Sequence, residues 1–255
     1  METPENVPAG RGRGNSGLAW LADGWDFYAG MLPRLVPAIL AVPLLSVPVY
    51  FLADRFGSVW PAYAWMTAVI IPIEAGVALF YIKAARGRES LRDIFYGFSI
   101  YFRALAFTLI FSMMLLGGFM LLIVPGILIM LAYSFGEYAL VDENLPVREC
   151  FLRSAAITQG HRTDLLPVLG LMVLIEVFAP SMIDLGSVKA PSVTFKTGFW
   201  DVAGHALKNF VFIPWLNCAA AIAYCRLKDR ADRPRLTAAD DAGEEAEDQE
   251  PPAEE

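Results

Sequence analysis

The sequence predicts an all-α fold, a polytopic membrane helix bundle of about six transmembrane helices with cytoplasmic interfacial amphipathic helices. Three observations predict it. The 255 residues are 56% apolar, with a mean hydropathy of +0.47, where soluble domains are roughly 45–50% apolar. The apolar residues gather in six blocks, at 35–52, 62–82, 104–124, 127–141, 165–183 and 207–225. Six crossings also place sixteen of the twenty Lys and Arg on one face.

A hydrocarbon core of about 30 Å needs about 20 helical residues. Five blocks approach that length. The fourth, at fifteen residues, calls for tilt or for extension past Asp142. Only Pro125-Gly126 separates the third block from the fourth. Proline removes a donor and glycine frees the backbone, so this pair predicts a tight helical hairpin. Pro72 and Pro214 fall inside blocks and predict kinks, whose freed carbonyls neighbours must satisfy. Gly117-Gly118 and Ala219-Ala220-Ala221 are candidates for close helix contact.

Orientation follows from the basic residues. The flank before the first block carries Arg11, Arg13 and Arg34. The second loop carries Lys83, Arg86, Arg88, Arg92 and Arg103, the fourth Arg148, Arg153 and Arg162. The C-terminal flank adds Arg226, Lys228, Arg230, Arg233 and Arg235, leaving Arg55, Lys189, Lys196 and Lys208 opposite. Both termini are therefore expected in the cytoplasm, in a bacterial inner membrane. The polar flank 1–16 predicts no cleavable signal, and the first block acts as its own insertion signal. Residues 240–255 hold nine acids and no base, and removing those nine charges from the net −7 leaves +2. We read 1–16 as a disordered flank, 17–228 as the membrane domain and 229–255 as a disordered acidic tail.

Three stretches read as helices lying in the headgroup plane. In 18–30, Leu18, Leu21, Trp25 and Tyr28 form an apolar stripe with Asp23 and Asp26 opposite, and Ser16 is a cap. In 90–102 the stripe is Leu91, Ile94, Phe95, Phe98 and Phe102, with Arg92 and Asp93 opposite and Ser90 as cap. In 146–159, Val147, Phe151, Leu152 and Ala155 face Arg148, Glu149 and Ser154 across the helix. Each stretch precedes a pair of spans, which suggests a threefold plan of interfacial helix plus hairpin. The outer loop 184–206 contains Phe199 and Trp200, expected at the outer interface.

The motifs also carry a resemblance. Pro72-Ile73-Glu74-Ala75-Gly76, Arg86-Gly87 and Asp93-Ile94-Phe95-Tyr96-Gly97-Phe98 come first. Val124-Pro125-Gly126-Ile127, Tyr133-Ser134, Tyr138-Ala139-Leu140 and Asp142 follow, then Ser154, Gly160, Pro214 and Ala223-Tyr224. Over roughly residues 20–228 this order resembles the bacterial integral membrane family known as domain of unknown function 975. That family is similar to the membrane domain of some glycerophosphodiester phosphodiesterases. The resemblance implies a fold and a location, and no activity.

Candidate functional residues are few. Glu74, Glu137 and Glu176 fall inside predicted spans, and Asn217 at similar depth. A carboxylate at the bilayer centre costs about 2.5–3.5 kcal/mol on insertion scales, so each is expected to face the interior, be protonated or be paired. Two readings stay open: a polar cavity for a proton-coupled or cationic substrate, and neutral Glu hydrogen-bonded between helices. Lys83, Arg86, Arg88, Arg92 and Arg103 are candidate contacts for lipid headgroups. His161 and His205 are expected on opposite faces and share no site.

Cys150, Cys218 and Cys225 form no disulfide or zinc pattern. No nucleophile elbow, P-loop, zincin or dinucleotide pattern occurs. We therefore expect no enzyme, metal, cofactor or nucleic-acid partner. The first reading is a membrane scaffold or accessory protein with lipid or protein partners, or a homo-oligomer. The alternative is a small transporter or channel-like protein.

Overall fold

A computed structural model of the chain describes residues 14, 16–56, 58, 60–178, 183–187, 190–195 and 198–247. The flank 1–13 with its Arg-Gly run, Lys189, Lys196 and residues 248–255 lie outside the described residues. Among the described residues the fold is helical apart from one antiparallel hairpin, β1 (Ile183–Ser187) with β2 (Ala190–Phe195), in the predicted outer loop. Among the described residues, five helices are long and apolar enough to cross a membrane: Gly17–Val49, Trp60–Ala85, Tyr101–Leu121, Ile123–Glu143 and Phe199–Arg233.

The first predicted interfacial helix and the first predicted span are one helix, α1 (Gly17–Phe56), with Pro33, Pro37, Pro43 and Pro48 inside it. Its expected apolar stripe is also corrected. Leu18 and Trp25 are exposed, while Trp20, Asp23 and Tyr28 are buried. Asp23 turns inward because its carboxylate meets Arg226 at 2.6 Å.

The second block is α2 (Trp60–Trp65), a π-helical turn (Met66–Ile70) and α3 (Ile71–Ala85). The last block repeats this plan with α9 (Phe199–Leu207), a π turn (Lys208–Phe212) and α10 (Ile213–Glu247). Each wide turn sits just before a predicted proline kink. Proline at 72 or 214 has no N–H for the carbonyl four residues earlier and its ring crowds that carbonyl, which a widened turn relieves. The freed Phe210 carbonyl accepts a hydrogen bond of 2.8 Å from the Tyr28 hydroxyl on α1. Helix α10 continues well past the predicted span end at 225, through Glu247.

The 3-10 helix Leu91–Phe98 opens with the expected cap, reinforced by Asp93 bonding back to the Ser90 N–H at 2.9 Å. It does not stand apart from the spans. It folds back along α3, where a Cβ on Gly76 would land on the Ile94 carbonyl and one on Gly97 on the Pro72 carbonyl. Only glycine allows this approach of two backbones. Asp93, Ile94 and Gly97 face inward, and Leu91, Phe95 and Phe98, with Phe102 beyond, are exposed.

The hairpin of α4 (Tyr101–Leu121) and α5 (Ile123–Tyr133) turns at Leu122, whose extended backbone separates the helices. Pro125-Gly126 is therefore not the turn itself. Both lie in the first turn of α5, where a missing N–H costs nothing. Gly126 and Gly118 set the close approach of the arms: a Cβ on Gly118 would lie 3.0 Å from the Gly126 Cα. Gly117 has open space instead.

The fourth block is interrupted at Ser134-Phe135 and resumes as α6 (Gly136–Glu143). Asn144, with φ of 55°, ends it in the left-handed conformation that Asn tolerates. The orphan carbonyl of Ala132 at the end of α5 accepts from Ser154 (2.9 Å) and Thr158 (3.3 Å) of α7 (Val147–Thr158). Ser154, expected on the outer face of that helix, is thus buried, and Leu152 is exposed. Helix α8 (Arg162–Phe178) has 17 residues.

Two apolar cores result. One joins Trp20, Phe135, Leu140, Leu165, Ala219, Ala220 and Tyr224, and the other packs Leu35, Ala38 and Ile39 of α1 on Ile73, Val77, Phe80 and Tyr81 of α3. The exterior is apolar too, with Met113, Met120, Leu121, Leu122 and Ile123 at 69–80% exposure. A surface of this kind suits a lipid environment rather than water.

Candidate functional site

Glu74, Glu137 and Asn217 line one cavity of about 480 Å³ within the bundle. Three breaks in helix regularity surround it. Glu74 lies in the first turn after the π turn Met66–Ile70. Glu137 lies in the first turn of α6, after the break at Ser134-Phe135. Asn217 follows the π turn Lys208–Phe212. Irregular backbone at membrane depth persists where it is buried in protein or lines a cavity.

Ser134, Tyr138 and Asn209 add polar atoms to the lining, and the remaining walls are mostly aliphatic or aromatic. The Ser134 hydroxyl oxygen is buried without a hydrogen-bond partner.

Glu176 does not join this group. It meets Lys208 at 2.8 Å, and its own side chain is 65% exposed. The sequence placed both residues toward the outer side but did not pair them. His205 sits next to this pair in chain order and approaches Asn209 at 3.1 Å. His161 contacts Asp164 at 3.2 Å, at the start of α8.

The basic candidates for lipid contact divide. Lys83 reaches Asp93 at 2.6 Å, Arg86 grips Asp142 with two bonds of 2.6 and 3.0 Å, and Arg103 donates to Asn144 at 2.7 and 3.0 Å. Arg88 and Arg92 are exposed, and among the described residues neither makes an ion pair.

Sequence reading missed the larger cluster to which Arg86 belongs. Asp142 also accepts from Lys228 (2.7 Å) and the Tyr224 hydroxyl (3.1 Å). Glu143 accepts from Arg153 at 3.0 Å, and Arg153 also reaches Asp232 at 2.7 Å. The Asp142 bond holds the Arg86 guanidinium above its ordinary pKa. For Arg153, burial pulls the pKa down, and its bonds to Asp232 and Glu143 more than offset that. The only sequence signal was the adjacent acids 142–143 at the end of an apolar block.

Cys150 is buried, and burial pushes its thiol up to about 11, which makes it a poor nucleophile at neutral pH. Cys218 is also buried and Cys225 partly so. Among the described residues no group of three or more His, Cys, Asp or Glu gathers to hold a metal ion. In comparison with known proteins, no family model, curated protein or solved structure matches this chain.

Proposed function

We propose that this chain is a small transporter or channel-like protein of the bacterial inner membrane, holding a solute in the cavity between its spans. The observation that carries this reading is the convergence of Glu74, Glu137 and Asn217 on one cavity, each just beyond a helix interruption. Wide π turns within helices are frequent at functional sites. Glu74 is exposed and Glu137 half-buried; two carboxylates within apolar spans are costly in a membrane, and an occupant offsets that cost.

The topology we propose has six spans, with α8 as the fifth and both termini in the cytoplasm. At about 1.5 Å per residue, 17 residues reach about 26 Å, close to a hydrocarbon core of about 30 Å. The 40 residues of α1 reach about 60 Å, so part of that helix lies along the interface or crosses obliquely. The exposed apolar side chains of 91–102, with Arg88 and Arg92, are then membrane-facing anchors for anionic lipid.

The test is cysteine accessibility in native membrane. Asn217→Cys, in a chain with Cys150, Cys218 and Cys225 changed to Ser, is expected to react with a small membrane-impermeant thiol reagent, because that side chain lines the cavity and is part-exposed. Ala219→Cys, fully packed, is expected not to react. Failure of Asn217→Cys to react from either face would overturn the cavity reading.

A second reading, a scaffold or accessory protein with a lipid or protein partner, is favoured by α10. That helix carries Arg230 and Arg233 and runs on to Glu247. The resemblance to the family of unknown function fits either reading. Recovery of a stoichiometric protein partner from native membrane would favour the second.

A further inference from the structure

We propose that the cavity takes a lipophilic organic cation, a molecule with a protonated or quaternary nitrogen, or an equivalent onium centre, on a compact apolar body. This rests on the cavity reading and names the class of its occupant. The first argument is charge. Glu74 and Glu137 line the cavity, and no Lys, Arg or His is among its lining residues. Among the described residues, neither carboxylate has a hydrogen bond or ion pair from the protein. Glu176 is the internal contrast, because the fold supplies it with Lys208. Where the protein supplies no cation, a bound proton or a cationic occupant neutralises them, and a cavity lined by two carboxylates suits the occupant.

The second argument is the unused hydrogen-bonding capacity. Tyr138 and Asn217 line the same cavity and are part-exposed, and among the described residues neither side chain has a hydrogen bond from the protein. A protonated amine, with its N–H donors, would satisfy both a carboxylate and a hydroxyl.

The third argument is the wall. Tyr81, Phe111 and Tyr138 offer aromatic surface, to which a desolvated cation is drawn, and aliphatic side chains complete the lining. The volume of about 480 Å³ falls within the roughly 300–1,000 Å³ of small-molecule sites. A bare metal ion is a poorer fit. Calcium asks for about 6–8 oxygens, and a mostly apolar wall does not offer that shell. An anion would meet two carboxylates and no base.

The experiment uses the full chain, purified in detergent micelles, and measures equilibrium binding of tetraphenylphosphonium. Triphenylphosphine oxide serves as the neutral probe of similar bulk. Wild type is expected to bind the cation saturably and at least tenfold tighter than the neutral probe. Glu74→Gln and Glu137→Gln are expected to weaken cation binding about tenfold each, and Glu176→Gln to leave it unchanged. The wild-type comparison needs no variant, so it stands even if a substitution impairs folding. Equal binding of both probes, or cation binding undiminished in both folded Gln variants, overturns the cation assignment and leaves the cavity. Binding of neither probe while Asn217→Cys is labelled also overturns it. Binding of neither probe with Asn217→Cys unreactive overturns the cavity reading as well.

Discussion

Pro214 shows how one residue shapes contacts far from it in the chain. Without an N–H it cannot serve the Phe210 carbonyl, and a hydroxyl 182 positions earlier, on Tyr28, takes that carbonyl instead. Side-chain hydrogen bonds of this kind in membranes are worth about 0.6 kcal/mol on average, with a maximum near 1.7. Tyr28→Phe is therefore expected to lower stability by about 1 kcal/mol, read as a lower melting temperature in detergent. Pro214→Ala restores an N–H to the carbonyl. In that background Tyr28→Phe is expected to cost measurably less, and an equal cost in both backgrounds would show that the freed carbonyl is not what Tyr28 serves. The proline was legible in the sequence, and so was the need for a partner. The identity of Tyr28 was not, because chain distance carries no information about which hydroxyl arrives.

Helices and loops hold together here through the acids at the end of α6. Asp142 gathers Arg86 from beyond α3 and Lys228 and Tyr224 from α10, and Glu143 gathers Arg153 from α7. Side chains on Asp142 and Arg153 are only 8% and 11% exposed, so removing a partner leaves a nearly buried charge. Loss of one partner of a buried pair costs about 3–5 kcal/mol, and partial exposure of Arg86 at 33% reduces that here. Asp142→Asn is expected to destabilise by about 2–3 kcal/mol. Arg86→Gln should cost less, because Lys228 remains on Asp142. Thermal melts at low and high salt check the order, and a larger loss in Arg86→Gln would refute the shared arrangement.

The same scale explains where sequence reading went wrong. All three amphipathic stretches are helical, yet each has a polar residue inside: Asp23, Asp93 and Ser154. Leu18, Phe95 and Leu152, assigned to the apolar stripes of helices in the headgroup plane, are exposed. In water an apolar stripe marks the core. In a membrane lipid is as apolar as leucine, so apolar residues gain little by facing inward, and polar ones gain a partner there. Hydropathy therefore located the segments well and their inner faces poorly. Glu74, Glu137 and Asn217 were legible by the converse rule, as polar residues in apolar blocks. Glu176 looked alike in sequence, and only the fold set Lys208 beside it.

At the scale of the whole molecule the open question is parity: five spans put the termini on opposite faces, six put them on the same one. Helix α8 is where the two counts part. The start of α1 touches the start of α8, where a Cβ on Gly17 would meet Pro167, and Asp23 on α1 pairs with Arg226 on α10. At the other end of α8, Glu176 pairs with Lys208, just before α10. Helix α8 therefore leaves the end of the bundle that α10 returns to, as a crossing pair must. Arg86, Arg153 and Lys228 lie within one ionic cluster, so the basic residues that the charge rule puts in the cytoplasm share a location. The expected labelling follows, for single cysteines placed in intact cells and exposed to an impermeant maleimide. Ser58→Cys and Trp200→Cys are expected to react from outside, and Arg88→Cys and Asp240→Cys only after the membrane is opened. Labelling of Asp240→Cys from outside, with Arg88→Cys still protected, would mean that α8 does not cross and that the chain has five spans.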